Sequence, residues 1–228
     1  MIAGGKPNLI GISGKMGSGK DTLSIVINYL ADKFAPESIA DWEQPVSEFT
    51  YVNKKYSEKL KYMVCFLLGC SRSDLEDREF KEKELGEEWD GLTPRKLLQL
   101  LGTEAGRHII HPNIWVNALF ADYVCDDCGQ QECPTDEEDT GQMIHRSFPD
   151  WIITDVRFPN EAQAIKDRGG ILIRINRPQY LDNGLVIRKD EHLSETALDD
   201  YDEFDYVINN DTNSVQDLVD KVKQLKIV

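Results

Sequence analysis

Basic side chains are scarce in this chain: 26 Lys and Arg stand against 41 Asp and Glu, for a formal net charge of -15 and an isoelectric point near 4.7. A surface so short of cations is not built to grip nucleic acid along its length, because such binding runs on clustered Lys and Arg neutralising phosphates. Any phosphate site must therefore be a local basic pocket. Also missing is an apolar run approaching the roughly 20 residues of a membrane span. The start, MIAGGKPNLIGIS, lacks the basic end, apolar centre and cleavage pattern of a secretory signal. These absences predict a soluble, cytoplasmic chain with neither nucleic acid nor membrane as partner. The five cysteines are an odd number in a chain of 228 residues, long enough to bury a full core. A disulfide framework is unnecessary there, and reduced thiols are the default.

With 40% hydrophobic and 29% charged residues, the composition suits one α/β domain carrying insertions. Asn8 to Ser13 reads as a short strand, followed by glycine-rich punctuation and a helix from Lys20 to about Phe34 with Leu23, Ile27 and Leu30 on one face. Residues 35 to 55 carry no clear pattern. Tyr56 to Leu68 recovers helical spacing, and Gly69 is a plausible stop. Ser71 to Trp89 mixes charges of both signs, as a solvated helix face does. Thr93-Pro94 is a helix start, with Thr93 as cap and Pro94 where a missing N–H costs nothing. Another helix is expected over Trp115 to Tyr123. Trp151 to Thr154, a helix after Pro159, and Ile171 to Ile175 form a β-α-β unit, and Tyr206 to Leu225 repeats strand then helix. A mainly parallel sheet covered by helices is the economical architecture.

Gly14-Lys15-Met16-Gly17-Ser18-Gly19-Lys20 satisfies G-x-x-x-x-G-K between that first strand and helix, the context the motif requires. Glycines let the backbone curl so that N–H groups of Met16 to Lys20 point at phosphate oxygens. The helix N-terminus adds positive potential, and Lys20 supplies a mobile charge for the β and γ phosphates of ATP. The competing reading is a glycine turn without a ligand. One feature departs from the usual loop: Asp21 follows Lys20 where Ser or Thr would hold Mg²⁺, and the hydroxyl comes one place later, at Thr22. Because Mg²⁺ keeps several waters, Asp21 could hold it through water while Thr22 caps the α-phosphate.

Arg95, Gln99, Gly102-Thr103 and Arg107 recur at helical intervals, which places them along one face of the helix begun at Thr93-Pro94. Two guanidinium forks on one face could bracket a small anion, although such a stripe also suits a solvated side. Asp155 ends an apolar strand, and in open α/β sheets ligands bind outside the carboxyl ends of strands. It can orient hydrated Mg²⁺ or the acceptor, while Arg157 neutralises charge on a transferring phosphoryl group. The alternative is that Asp155 caps a turn and Arg157 pairs with Glu161.

ISGKMGSGKDT, YSEKLK, LTPRKLLQLLGTEAGR and ITDVRFPNEA, in that order and spacing, resemble the bacteriophage deoxynucleoside monophosphate kinase family over most of the chain. The resemblance implies a P-loop nucleoside-monophosphate-kinase-like fold in a single domain over 1–228, with a helical acceptor region over 54–123 and an acidic, Cys-containing lid over 124–148. It implies ATP and Mg²⁺ as cofactors, a deoxynucleoside monophosphate as acceptor, and the host cytoplasm for a phage-encoded chain. Met16 to Thr22 would hold ATP; Lys61, Arg95, Gln99, Gly102, Thr103 and Arg107 would line the monophosphate site. Lys20, Arg107, Asp155 and Arg157 would carry the transfer, with Asp21 and Asp155 holding Mg²⁺ through water. The segments around His192, Glu195 and Asn210 also look familial but receive no chemical role. Oligomeric state is open, a homodimer included.

The stretch CDDCGQQECPTDEEDTGQMIHR departs from the family pattern. Cys125, Cys128, Cys133 and His145 could hold a structural Zn²⁺, although a second close-spaced cysteine pair is absent; a flexible acidic lid with reduced thiols is the alternative. Competing functions are phosphorylation of another small molecule, such as a coenzyme precursor, and a noncatalytic nucleotide-binding regulatory module.

Overall fold

The computed structural model describes residues 6–42, 50–126, 129–131, 147–178, 192–212 and 214–228. The chain divides into two compact units: Lys55–Asp122, and the remainder formed by Met1–Lys54 with Tyr123–Val228. Among the described residues no helix is long and apolar enough to cross a membrane.

In the larger unit, five runs become strands β1 (Leu9–Ser13), β2 (Val52–Lys54), β3 (Trp151–Val156), β4 (Ile171–Asn176) and β5 (Tyr206–Asn209). They form one parallel sheet in the order β2-β3-β1-β4-β5. β1 and β3 are buried at every position, as expected of parallel strands covered on both faces. Ile10 and Ile12 of β1 and Ile171, Ile173 and Ile175 of β4 belong to a core shared with Leu23, Val26 and Ile27 of helix α1 (Lys20–Ala31). Leu218, Val219 and Val222 of the C-terminal helix, Val215–Leu225, join the same cluster. The helix Pro159–Lys166 approaches β1 so closely that a Cβ on Gly11 would lie 2.5 Å from Ile165 Cδ1. Alternating strand residues thus divide between two helical layers.

In the smaller unit, α2 (Glu58–Leu68) stops at Gly69, whose φ of 64° suits a residue without a Cβ. α3 (Arg78–Glu82) starts at Asp77, whose carboxylate accepts the Glu79 N–H. α4 (Pro94–Gln99) begins as its sequence dictates: Thr93 Oγ1 accepts the Lys96 N–H at 3.1 Å, with Pro94 behind it. The helix then changes winding. Leu100–Ile110 is π-helical, and the His111 N–H closes on the Gly106 carbonyl five residues back. Trp115 of α5 (Ile114–Phe120) inserts its Nε1 toward the Gly102 carbonyl at 2.7 Å. A Cβ on Gly106 would stand 2.6 Å from the Leu101 carbonyl and 3.0 Å from Trp115 Cζ2. Two glycines that favour no regular helix and a buried indole claiming a carbonyl account for the widened turn.

The remaining elements complete the larger unit: α6 (Pro159–Lys166), α7 (Leu193–Thr196) and α8 (Val215–Leu225). α8 starts at Ser214, whose hydroxyl accepts the Asp217 N–H. Of the 124–148 insertion, Val124–Asp126, Gly129–Gln131, Ser147 and Phe148 are described, so the expectations for Cys128, Cys133 and His145 lie outside the described residues. Cys125 is buried and closes a turn, its carbonyl accepting the Gly129 N–H at 2.8 Å. Among the described residues no cluster of His, Cys, Asp and Glu is arranged to hold a metal ion, and the zinc reading gains no support.

Candidate active site

The central strand β1 ends at Ser13, and the chain turns through Gly14 to Gly19 before α1 begins. Gly14 is pressed into the sheet: a Cβ there would lie 2.5 Å from both the Ile175 carbonyl oxygen and Ser18 Oγ. Gly19 adopts the left-handed conformation, φ 102°, and offers no side-chain cap. No side chain at the cap position competes with an anion for the start of α1, where helix N–H groups and dipole favour negative charge. Ser18 is buried, and its Oγ has no hydrogen-bond partner among the described residues. Met16 and Gly17 are exposed at the rim, and Asp21 and Thr22 follow in the first turn of α1, Asp21 exposed and Thr22 half-buried.

Lys20 folds back over the loop, donating from Nζ to the Gly14 carbonyl at 2.7 Å and the Lys15 carbonyl at 2.8 Å. Burial, and then the positive charge of Arg157, lower its pKa to about 8; Asp21 and Asp155 pull the other way and Arg174 adds to the lowering. β3 lies beside β1 in parallel register, with Ser13 opposite Val156. Asp155, 8% exposed near the carboxyl end of β3, therefore stands next to the strand end from which the loop departs.

Arg157 follows Asp155, but its side chain does not pair with Glu161. Buried Glu161 instead accepts the backbone N–H groups of Arg157 and Phe158, at 2.7 and 3.1 Å, and fixes the turn into α6. The Arg157 guanidinium meets Glu195 of α7, donating from Nη1 to Oε1 and, at 3.4 Å, to the Ser194 carbonyl. The other Glu195 oxygen accepts the Met16 N–H at 3.2 Å. Lys15 braces the same segment through the Glu195 carbonyl, 2.6 Å, and Asp199, 2.8 Å, and Asp199 also takes Arg174 at 3.2 Å. His192 caps α7, its Nδ1 accepting the Ser194 N–H. On the other side of the loop, Asn210 donates to the Ser18 carbonyl. Sequence reasoning gave Glu195 and Asn210 no role, because each lies far along the chain from the loop that it touches.

The residues expected on the acceptor side all fall in the smaller unit. Lys61 pairs with Glu76 at 2.9 Å, and Glu76 also takes Arg72 at 2.5 Å. Burial pushes the Glu76 carboxyl up, but hydrogen bonds and charge from Lys61 and Arg72 outweigh it and hold its pKa at about 2. Arg95 pairs with Glu82 at 2.5 Å. Arg95 and Gln99 lie on or at the end of α4, whereas Gly102, Thr103 and Arg107 lie on the π-helical stretch. Gly102 and Thr103 are buried, and Arg107 and Gln99 are half-buried. The single α-helical face expected for the whole set is corrected on this point: the widened winding past Leu100 changes the angular spacing on which it rested.

A glycine loop on the central strand of a parallel sheet, a lysine within it and an acid at the end of the neighbouring strand are together the parts of a P-loop nucleotide-binding protein. A family model described as deoxynucleotide monophosphate kinase matches residues 48–222. The chain is 28% identical over 212 residues to an Acanthamoeba polyphaga mimivirus protein provisionally named a deoxynucleotide monophosphate kinase, covering 90% of this chain and 89% of that one. It is 27% identical over 202 residues to the deoxynucleoside-5'-monophosphate kinase of Escherichia phage T5, covering 70% and 72% of the two chains. The chain belongs to the deoxynucleotide monophosphate kinase family, as its motifs imply.

Proposed function

We propose that the chain transfers the γ-phosphoryl group of Mg-ATP to a deoxynucleoside monophosphate, giving the diphosphate and ADP. The observation that carries the donor half is the glycine loop at the end of β1, with Lys20 folded over it, no side-chain cap at Gly19, and Asp155 near the end of the neighbouring strand β3. The family and the names of both viral relatives support the acceptor class.

In this reading the backbone from Met16 to Thr22 cradles the donor phosphates and Lys20 balances their charge. The donor set suits magnesium: Asp21 and Asp155 offer hard carboxylate oxygens, of the kind that hold Mg²⁺ through its retained waters. Magnesium when bound would draw charge from the phosphate oxygens. Arg157 neutralises charge on the transferring group, and phosphoryl transfer of this kind rests on positioning rather than on a covalent intermediate. The unit Lys55–Asp122 supplies the acceptor site, lined by Lys61, Arg95, Gln99, Gly102, Thr103 and Arg107, with the guanidinium forks suited to the monophosphate oxygens.

The test is a coupled ADP-release assay with Mg-ATP against a panel of deoxy- and ribonucleoside monophosphates, a coenzyme precursor and a no-acceptor control. Turnover that depends on a deoxynucleoside monophosphate and vanishes in Lys20→Ala is the expected result. ATP binding without turnover on any acceptor would instead favour a nucleotide-binding regulatory module.

A further inference from the structure

We infer that Glu195 is a positioning residue for transfer: its carboxylate ties the Arg157 guanidinium to the Met16 amide of the phosphate loop and so fixes where the arginine stands. The inference rests on the reading of Arg157 as the group that meets the transferring phosphoryl oxygens.

Three features carry it. Glu195 uses its two oxygens on two different partners, Oε1 on Arg157 Nη1 and Oε2 on the Met16 N–H. A carboxylate engaged in this way sets the separation of its partners, which a one-point ion pair does not. Second, Arg157 is engaged through Nη1 alone; among the described residues, Nη2 and Nε have no partner. The arginine is held by one corner of its fork while the other donors remain available to phosphoryl oxygens. A contact that merely blocked the site would have covered those donors too. Third, Glu195 is itself braced: its carbonyl accepts Lys15 Nζ, Lys15 also reaches Asp199, and His192 caps the short helix that carries it. Lys15 belongs to the phosphate loop, so two bonds join the loop to α7, one from a backbone N–H and one from a side chain. Support of this kind keeps a charged group within the fraction of an ångström that transition-state stabilisation needs.

The test compares Glu195→Gln with the parent enzyme and with Arg157→Ala, alone and combined. Glu195→Gln should lower kcat by about 10- to 100-fold, the scale of losing a well-placed charge, with KM for ATP and for the monophosphate changed little. In the Arg157→Ala background the same substitution should cost almost nothing, since the group it positions is gone. Glu195→Asp, which keeps the charge on a stem one carbon shorter, should fall between and serves if the glutamine variant folds poorly. A readout independent of turnover is the guanidinium NMR signal of Arg157, assigned by its loss in Arg157→Lys. Restricted rotation in the parent and free averaging in Glu195→Gln are expected.

Losses that multiply in the double variant would overturn the inference. So would an unchanged guanidinium signal in Glu195→Gln, or tighter ATP binding with kcat intact, which would make Glu195 a plug on the loop. Failure of the parent enzyme to phosphorylate any deoxynucleoside monophosphate would defeat the proposed function instead, and the guanidinium signal would still decide whether the tie exists.

Discussion

Asn210 donates from Nδ2 to the Ser18 carbonyl at 2.9 Å, joining the loop after β5 to the phosphate loop across 192 positions of sequence. Asn210 is itself held by its backbone N–H, which reaches the Asn176 carbonyl at 2.7 Å. Its amide therefore acts as a fixed post against which the loop is shaped. Asn210→Ala leaves a buried carbonyl unsatisfied, a loss of about 1–3 kcal/mol. With about 1–2 kcal/mol of that loss appearing in binding, ATP affinity should fall by about five- to thirty-fold. Calorimetric titration with Mg-ATP measures it, and unchanged affinity would remove Asn210 from the donor site.

Gly19 faces the same amide. A Cβ at this position would stand 2.6 Å from Asn210 Nδ2 on a backbone with φ 102°. Gly19→Ala should lose about 1–3 kcal/mol to backbone strain alone and displace Asn210 as well. The unfolding midpoint and ATP affinity should both drop, more than in Asn210→Ala. A variant as stable as the parent would show that the loop accommodates the methyl group by moving.

Lys20 gives a pH signature. Its pKa in the free protein is lowered to about 8, and phosphate binding needs the ammonium form. ATP affinity should be flat below pH 8 and weaken by up to about tenfold per unit above it. The dissociation constant measured between pH 7 and 9.5 checks this, with Lys20→Met expected to bind weakly and without that dependence. The stability term has its own sign: between about 8 and the ordinary 10.5, the unfolded chain binds the proton that the folded chain has released. This lysine's destabilising contribution therefore shrinks as pH rises through that window.

The parts legible in the sequence are those in which local chemistry dictates structure. Gly14 to Lys20 announces strand, loop and helix because few other turns demand that glycine spacing, and Thr93-Pro94 announces a helix start because capping is a short-range interaction. β2 was hidden, since Val52–Lys54 is three residues long and only half of a pattern. The π-helical stretch read as ordinary helix because its cause, Trp115 on the Gly102 carbonyl, is a tertiary contact. Arg157 had a plausible partner four residues away in Glu161, and the real one lies 38 residues away. Spacing rules see neighbours along the chain and miss those that the sheet brings together.

Glu76 provides a prediction for the acceptor unit. It engages Lys61 and Arg72 at once, occupying the charge that a monophosphate would use in the proposed assignment. Lys61→Ala should raise KM for the deoxynucleoside monophosphate by about tenfold, the scale of one charge-assisted hydrogen bond, with KM for ATP unchanged. Glu76→Gln should lower the acceptor KM, because Lys61 no longer has a resident counter-charge. Any stability that Glu76 adds is in place above its ordinary pKa of 4.5 and is lost as pH falls toward about 2. Initial rates with the acceptor varied at saturating ATP test both variants.

The placement of Lys55–Asp122 as a single excursion between β2 and β3 bears on how such an enzyme can diversify. On the proposed assignment the donor machinery is drawn from segments around residues 14–22, 155–161, 192–199 and 210, so a change in any one must be tolerated by the others. The excursion is contiguous and leaves the order of the sheet untouched. On the proposed assignment, a lineage could exchange or drift through that one stretch and alter which nucleotide it accepts while inheriting its ATP chemistry intact.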